Sequence, residues 1–352
     1  MRVSDRKSLL KARRNAVFYG ILLLVSVATI AVIYCFRSPP PYYEVTDFTM
    51  GTRVRVVIAS RKVSPKSLAN LVLSEFKRLS AKYDPYDPRS VIYEINHSKG
   101  WVKVDEETFA IIEAAIRYAR ITHGAFDPTL GKLIDLWGFS DFERKKPTSV
   151  PNEKDIEEKL AETGYENVDL DRSNMAVRLR NGVWLDLGGL VKGYALDRAY
   201  NIVRNVDKDA TGFIDAGGDI KIIGPKYGKL PWTIGIRDPF GSPSDAVDYV
   251  YLREGAIATS GDYERYFIEN GIRYHHIFDP KTGYPARGAR SVTVISKDAV
   301  LADVFATAGF VMAKDWRYVL VEFPKYGAHV FMVMDSGEIH KDPFFKVYES
   351  KR

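Results

Sequence analysis

The sequence predicts an α+β fold with mixed, largely antiparallel sheets and packed helices, preceded by one N-terminal transmembrane helix. Segments with helical spacing and segments with strand-like alternation are interspersed along the chain. Neighbouring strand-like runs such as 176–179 and 182–185 are separated by a few turn residues, which favours antiparallel pairing because parallel strands need a long crossover. Residues 16–36 form an uncharged run of 21 residues, which is long enough to cross a bilayer.

The N-terminal segment predicts a single-pass anchor in the cell membrane. Residues 1–14 hold six basic side chains against Asp5, so the positive-inside rule places residues 1–15 in the cytoplasm as a basic tail. The domain after the anchor then lies outside the cytoplasm, on the periplasmic side. A cleavable signal peptide is the alternative, but its apolar core is typically only about 7–15 residues long. Lipidation at Cys35 is a second alternative, although Tyr34 is bulky where such signals have a small residue.

Charge and composition exclude several classes of protein. The net charge is +6, yet residues 38–352 hold 44 basic and 44 acidic side chains, so the folded part has no electrostatic footprint for nucleic acid. A content of 46% apolar and 27% charged residues is that of a globular chain. The single cysteine excludes an intramolecular disulfide and a paired-cysteine zinc site.

After a proline-rich spacer at 37–45, residues 46–345 form one predicted domain. Helical spacing predicts helices at 67–82, 108–121, 154–162 and 193–206. A further helix begins near Asp298, whose side chain can cap it. Alternating or apolar runs predict strands at 53–59, 176–179, 182–185, 220–223, 232–236, 250–252, 274–278 and 291–295.

The segment from Asp186 to Lys192 (DLGGLVK) follows a predicted strand and leads into a predicted helix. Glycines at a helix start let backbone N–H groups approach an anion, and Lys192 adds a positive charge. The spacing matches neither the Rossmann nor the Walker pattern, so two interpretations stay open. The segment binds a nucleotide phosphate, or it is a plain helix start with a solvated lysine.

Asp303 and Thr307 are four residues apart in a helical run, so they share one helix face. Their neighbours are small or apolar, and a carboxylate in such surroundings is costly unless it is paired or bound to metal. Oxygen ligands suit a hard ion such as Mg²⁺. A metal site and a bond from Asp303 to a buried lysine or arginine are equally compatible with the pattern.

His275 and His276 are adjacent in a predicted strand, so only one of them can face a given site. A lone histidine is often a structural hydrogen bonder. The turn that follows, Phe278-Asp-Pro-Lys-Thr-Gly283, places the strand end at a cleft and favours a functional role for one of the two.

Taken in order, these segments resemble the ApbE-type FAD:protein FMN transferase family. The resemblance runs from about Met50 to Met312 and rests on at least six motifs among the segments at 50–52, 123–129, 185–195, 214–219, 257–262, 276–283 and 301–307. It implies an ApbE-like fold, FAD as substrate, Mg²⁺ as cofactor and transfer of FMN to a Ser or Thr of another protein through a phosphoester, with AMP released. It also implies a membrane-attached enzyme outside the cytoplasm.

The resemblance assigns roles to particular residues. It makes His276 the proposed base, and it makes Asp303, Thr307 and the backbone carbonyl of Gly189 the metal ligands. The segment 83–90 contains a duplicated Tyr-Asp-Pro, and Tyr86 keeps the family's spacing better than Tyr83. The expected FAD pocket consists of Met50, Tyr86, Ala125, Phe126, Asp127, Asp186, Lys192 and Ile277.

Two other functions are also compatible with the sequence. An FAD diphosphatase would use the same metal and pocket with water in place of the protein hydroxyl. A membrane-anchored flavin-binding protein would hold FAD without turnover, and it would need neither metal nor base. The chain shows no convincing acceptor motif of its own, so the acceptor flavoprotein subunit is expected in trans.

Overall fold

The computed structural model describes residues 14–27, 29, 39–140, 142 and 145–350. Residues 42–350 belong to one compact unit, and the residues before Tyr42 belong to another. In the latter, residues 14–27 are helical. Of the predicted anchor at 16–36, residues 28 and 30–36 lie outside the described residues, as do residues 1–13 of the basic tail. None of the helices within the described ranges is both long and apolar enough to span a bilayer.

An antiparallel sheet of eight strands forms the centre of the compact unit. In chain order the unit's strands are β1 (Tyr43–Thr49), β2 (Thr52–Ala59), β3 (Val102–Lys103), β4 (Val168–Asp171), β5 (Ala176–Leu179), β6 (Thr211–Ala216), β7 (Asp219–Gly224), β8 (Trp232–Arg237), β9 (Ala246–Leu252), β10 (Ala256–Gly261), β11 (Tyr266–Glu269), β12 (Ile272–His275), β13 (Ala289–Ser296), β14 (His329–Met334) and β15 (Ile339–Lys341). The order in the large sheet is β1-β2-β6-β7-β10-β13-β14-β15. The predicted α+β class with largely antiparallel sheets is confirmed.

Helices cover one face of this sheet. The helices are α1 (Pro65–Tyr83), α2 (Val91–His97), α3 (Glu106–Ile121), α4 (Gly131–Leu136), α5 (Glu153–Leu160), α6 (Gly188–Val206), α7 (Ala299–Val311) and α8 (Trp316–Glu322). Of these, α1, α6 and α7 pack on the sheet and on one another. Successive strand residues face opposite sides, so Ala256 and Ala258 of β10 join the core beneath the helices while Ile257 joins a second core behind the sheet.

The β8–β9 hairpin covers the opposite face through that second core, which includes Ile236, Val250 and Phe345. A third apolar cluster surrounds the buried Trp137 and packs the β11–β12 hairpin against α4 and α5. Strands β3, β5 and β4 form a small separate sheet. The molecule therefore places α6, α7 and the β11–β12 hairpin on the side of the large sheet where the motif residues lie.

The predicted strand at 182–185 is wrong. Asn181 and Gly182 both have positive φ and form a turn, and only Trp184 makes an isolated bridge, to Leu130. Both backbone hydrogen-bonding groups of Leu185 are instead bonded to the side chain of Asn96. Leu185 N donates to Asn96 Oδ1 at 2.7 Å, and Asn96 Nδ2 donates to Leu185 O at 2.9 Å. An amide side chain therefore replaces the neighbouring strand that the apolar pattern predicts.

The predicted cap at Asp298 is also wrong. Asp298 occupies the N-cap position of α7 but makes no side-chain cap hydrogen bond. Asp197 of α6 caps the helix instead, since its two carboxylate oxygens accept from Ala299 N and Val300 N, both at 3.0 Å. Two other predicted boundaries also differ from the observed ones. Helix α6 begins at Gly188, before the predicted start at 193, and β12 ends at His275, short of the predicted 278.

Candidate active site

The start of α6 carries the first part of the candidate site. Asp186 Oδ1 accepts from Gly188 N at 2.7 Å, and Tyr86 OH donates to Asp186 Oδ2 at 3.3 Å. Burial raises the pKa of the Asp186 carboxyl. Tyr83 lies instead in the main core at the end of α1, with 3% of its surface exposed. Of the two candidate tyrosines, Tyr86 is therefore the one in contact with Asp186.

Two glycines of α6 allow other elements to approach closely. A Cβ atom on Gly189 would lie 3.2 Å from the ring of Phe126 and 3.7 Å from Thr307 Oγ1. A Cβ atom on Gly193 would lie 2.5 Å from Ala299 O and 2.7 Å from Val300 Cα. Because these last neighbours are backbone atoms of α7, the close crossing of the two helices depends on Gly193.

The crossing brings Asp303 of α7 to the first turns of α6. Asp303 Oδ2 accepts from Gly193 N at 3.0 Å, and Lys192 Nζ lies 3.6 Å from Asp303 Oδ1. Lys192 also forms an ion pair with Asp219, whose other oxygen accepts from Thr259 N at 3.1 Å. Burial raises the pKa of Asp303, and the nearby ammonium opposes that rise. Lys192 is thus held between two carboxylates, with 30% of its side chain exposed.

Thr307 lies on the same face of α7, one turn after Asp303. Its Oγ1 is 3.2 Å from Ser260 Oγ, at the end of β10. Gly189 lies beside this hydroxyl, since a Cβ atom on it would be 3.7 Å from Thr307 Oγ1. The side chains of Asp303 and Thr307 are hard oxygen donors of the kind that suit a cation such as Mg²⁺. The part of the chain that the structure describes contains no group of three or more His, Cys, Asp or Glu side chains that could hold a metal ion.

His275 and His276 separate as strand alternation predicts. His275 is buried, with Nε2 3.0 Å from Ala286 O and its ring edge-on to Phe310. His276 follows the end of β12 and is partly exposed, and burial together with the charges of Arg265 and Lys192 lowers its pKa to about 4. Of the two histidines, His276 is the one on whose pKa the charge of Lys192 acts. Ile277, beside it, is buried, and its N–H is directed at His275 Nδ1 at 3.3 Å.

The segment 123–129 supplies Ala125, Phe126 and Asp127. Asp127 Oδ1 accepts from the backbone N–H of Thr129 at 2.9 Å, and Oδ2 accepts from Tyr165 N at 3.2 Å. Burial raises the pKa of this carboxyl. Asp127 therefore fixes the conformation of the loop in which the Phe126 ring lies against Gly189. Ala125 packs at the edge of the core.

Met50 lies in the two-residue turn between β1 and β2, where Met50 and Gly51 both have positive φ. This turn is tied to the β11–β12 hairpin, since Arg265 Nη2 donates to Gly51 O at 3.2 Å. Sequence reasoning missed Arg265. The Asn270-Gly271 dipeptide is a hairpin signal that pairs Tyr266 with His275, and it thereby predicts Arg265 opposite His276.

Two cavities lie away from this cluster. One of about 840 Å³ lies between α3 and β4 beside Trp101, and one of about 340 Å³ lies between the large sheet and the β8–β9 hairpin. Neither is lined by Asp186, Lys192 or Asp303.

The model of the ApbE family matches residues 50–331 of this chain. The chain belongs to this family. A curated relative, the FAD:protein FMN transferase of Treponema pallidum (strain Nichols), is 32% identical over 337 residues, which cover 89% of this chain and 90% of the relative. The resemblance drawn from the motifs is confirmed.

Solved ApbE structures share the fold. The ApbE protein of Thermotoga maritima MSB8, known from a crystal structure, is 53% identical in sequence to this chain. The match covers 88% of this chain and 99% of the Thermotoga chain, with a TM-score of 0.84. The flavin transferase ApbE from Vibrio cholerae is 26% identical, with 88% and 100% of the two chains covered and a TM-score of 0.77. The ApbE-like α+β architecture therefore extends across the compact unit.

Proposed function

We propose that this chain is an FAD:protein FMN transferase that moves the FMN moiety of FAD onto a Ser or Thr hydroxyl of an acceptor protein. The acceptor oxygen attacks the FMN phosphorus, the bond from that phosphorus to the bridging oxygen breaks, and AMP leaves with that oxygen. The hydroxyl proton passes to a base. The products are a phosphoester on the acceptor and free AMP.

One observation carries the proposal: at the start of α6, Lys192 lies beside the carboxylate of Asp303, and its charge also acts on His276. Lys192 and the positive end of the α6 dipole provide positive potential for a diphosphate. Mg²⁺, held by Asp303, Thr307 and the carbonyl of Gly189, would add charge neutralisation on the phosphates. These groups serve positioning and electrostatics, which supply most of the catalysis in phosphoryl transfer.

His276 is the proposed base for the acceptor hydroxyl. A hydroxyl is a weak nucleophile, so a nearby base that takes its proton in the transition state accelerates attack. Because the pKa of His276 is lowered to about 4, its imidazole is neutral at physiological pH and able to accept the proton. The proposed FAD pocket combines Asp186, Tyr86 and Lys192 with Met50, Ala125, Phe126, Asp127 and Ile277.

We further propose that residues 16–36 anchor the enzyme in the cell membrane, with residues 1–15 in the cytoplasm and the domain on the periplasmic side. The apolar side chains from Val17 to Val27 that the structure describes are more than half exposed in the helix 14–27, as lipid-facing side chains would be. Protease added to intact spheroplasts should digest the domain. Protection of the domain, or a mature terminus at a lipidated Cys35, would contradict this anchor.

The proposed reaction is tested with the full chain in detergent, FAD, Mg²⁺ and a panel of extracytoplasmic flavoprotein subunits. The acceptor should gain the mass of FMN linked as a phosphoester, with one AMP released for each FMN bound. Free FMN and AMP with an unmodified acceptor would indicate a diphosphatase. Unchanged FAD bound to the protein would indicate a flavin-binding protein. The Asp303→Ala variant is the matched control, and it should neither release AMP nor modify the acceptor.

A further inference from the structure

The β11–β12 hairpin places Arg265 directly opposite His276. Tyr266 pairs with His275 in this hairpin, so the next position outward on each strand faces the other. Arg265 O is the point of contact: it accepts from the backbone N of His276 at 3.2 Å and lies 3.3 Å from Nδ1 of the same residue. One carbonyl therefore orients both the backbone and the imidazole ring of His276.

This contact fixes the tautomer of the imidazole. A carbonyl oxygen can only accept a hydrogen bond, so Nδ1 must carry the proton that it donates to Arg265 O. In a neutral ring, Nε2 is then the nitrogen with a free lone pair. The atom of His276 that can take a proton is thereby defined as Nε2.

The side chain of Arg265 secures the hairpin to a second part of the site. Its guanidinium donates to Gly51 O in the turn that carries Met50. Gly51 has φ +65, which favours glycine, and a Cβ atom there would overlap Arg265 Nη2 in its present position. Arg265 thus links the Met50–Gly51 turn to the strand end that carries His276.

The charged groups around His276 are mostly positive. Arg265 comes from the hairpin, Lys192 comes from α6, and the neighbouring His275 is buried. The positive charges of Arg265 and Lys192 both disfavour a protonated imidazole, and burial acts in the same direction. Glu264, adjacent to Arg265, interacts with both cations, but its own pKa is raised by burial.

We infer that Arg265 is a positioning residue for the base: its carbonyl engages Nδ1 of His276 and so leaves Nε2 as the nitrogen that can take a proton, and its guanidinium places a positive charge near the imidazole while fixing the hairpin to the Met50–Gly51 turn. The inference rests on the proposed function insofar as His276 is the base. The protonation state and tautomer that it assigns to His276 can be measured without any turnover.

The test is a direct titration of His276 by NMR in the full chain labelled at its six histidines, with His276→Asn used for assignment. In the unsubstituted protein, His276 should show the Nδ1–H tautomer and titrate near pH 4. Arg265→Met should raise the titration midpoint by about one unit, because a neighbouring positive charge is lost. Arg265→Lys should keep most of the shift. Arg253→Met is the control variant, because it also removes one arginine but in the segment between β9 and β10. It should leave the titration midpoint of His276 unchanged.

Several results would overturn the inference. They are a midpoint near 6.5 in the unsubstituted protein, an Nε2–H tautomer, or a midpoint that is the same in Arg265→Met and Arg253→Met. If Arg265→Met fails to fold, Arg265→Gln serves as the second variant, since it also removes the positive charge while keeping a polar side chain, and it should also raise the midpoint. A low midpoint with the Nδ1–H tautomer but no FMN transfer by the unsubstituted enzyme would refute the proposed function and leave the role of Arg265 in setting the state of His276 intact.

Discussion

Gly193→Ala tests whether the close crossing of α6 and α7 builds the candidate site. The new Cβ atom would lie 2.5 Å from Ala299 O, and an ordinary contact of 3.4 Å requires the helices to separate by about 0.9 Å. The same movement would lengthen the hydrogen bond from Gly193 N to Asp303 Oδ2 from 3.0 Å to roughly 3.9 Å, beyond hydrogen-bonding distance.

The expected cost follows from opposing contributions to the free energy of unfolding. Overpacking costs about 1–3 kcal/mol. Loss of a hydrogen bond to a charged group costs about 1.5–3 kcal/mol. Alanine in place of glycine inside a helix recovers about 1 kcal/mol. The net loss is about 1.5–5 kcal/mol, which should lower the melting temperature by at least about 3 °C.

The assay is thermal unfolding by circular dichroism, together with Mg²⁺-dependent FMN transfer, which should fall because Asp303 is displaced. Gly309→Ala is the matched control on α7, since its new Cβ atom would meet only side-chain atoms, with Val292 Cγ1 the nearest at 3.1 Å. A melting temperature for Gly193→Ala that is unchanged or raised would refute the reasoning, because helix propensity alone predicts stabilisation.

Three further predictions concern the same cluster. Asp303→Ala should abolish Mg²⁺-dependent transfer, and Thr307→Val should weaken it less because a hydroxyl contributes no charge; a magnesium titration of transfer that is unchanged in Asp303→Ala would exclude these ligands. His276→Asn should leave FAD affinity, measured by fluorescence quenching, nearly intact while it lowers single-turnover transfer about 10²–10⁴-fold. His275→Asn should leave the chemical step unaffected, since His275 bonds Ala286 O; equal losses from both substitutions would remove His276 from the role of base. Asn96→Ala should destabilise the domain by about 2–5 kcal/mol in denaturant unfolding, because it leaves the buried N–H and C=O of Leu185 without their partner; a loss below 1 kcal/mol would contradict that role.

Local patterns were sufficient to predict part of the site. The spacing of Asp303 and Thr307 requires only that the segment be helical, and the structure has both on α7. Alternation likewise separated His275 from His276. Of the two alternatives for Asp303, the structure shows the neighbouring lysine, with Lys192 Nζ at 3.6 Å, and the metal site stays a prediction.

Other features could not be predicted because they depend on partners distant in the chain. The apolar run at 182–185 suggests a strand, but Asn96, far earlier in the sequence, satisfies the backbone of Leu185. Asp298 has the right type for a cap, but the helix crossing at Gly193 brings Asp197 to the start of α7 instead. The predicted spacer at 37–45 contains the start of β1 at Tyr43. No local sequence pattern predicts that this segment pairs with β2.

The central claim is that this chain transfers FMN from FAD to another protein. Its most direct test is the intact mass of an acceptor flavoprotein subunit after incubation with the full chain, FAD and Mg²⁺, measured alongside released AMP. The account predicts one covalent FMN on a Ser or Thr of the acceptor for each AMP released, and neither product with Asp303→Ala. AMP and free FMN appearing at equal rates with and without an acceptor, while the acceptor mass stays unchanged, would contradict it.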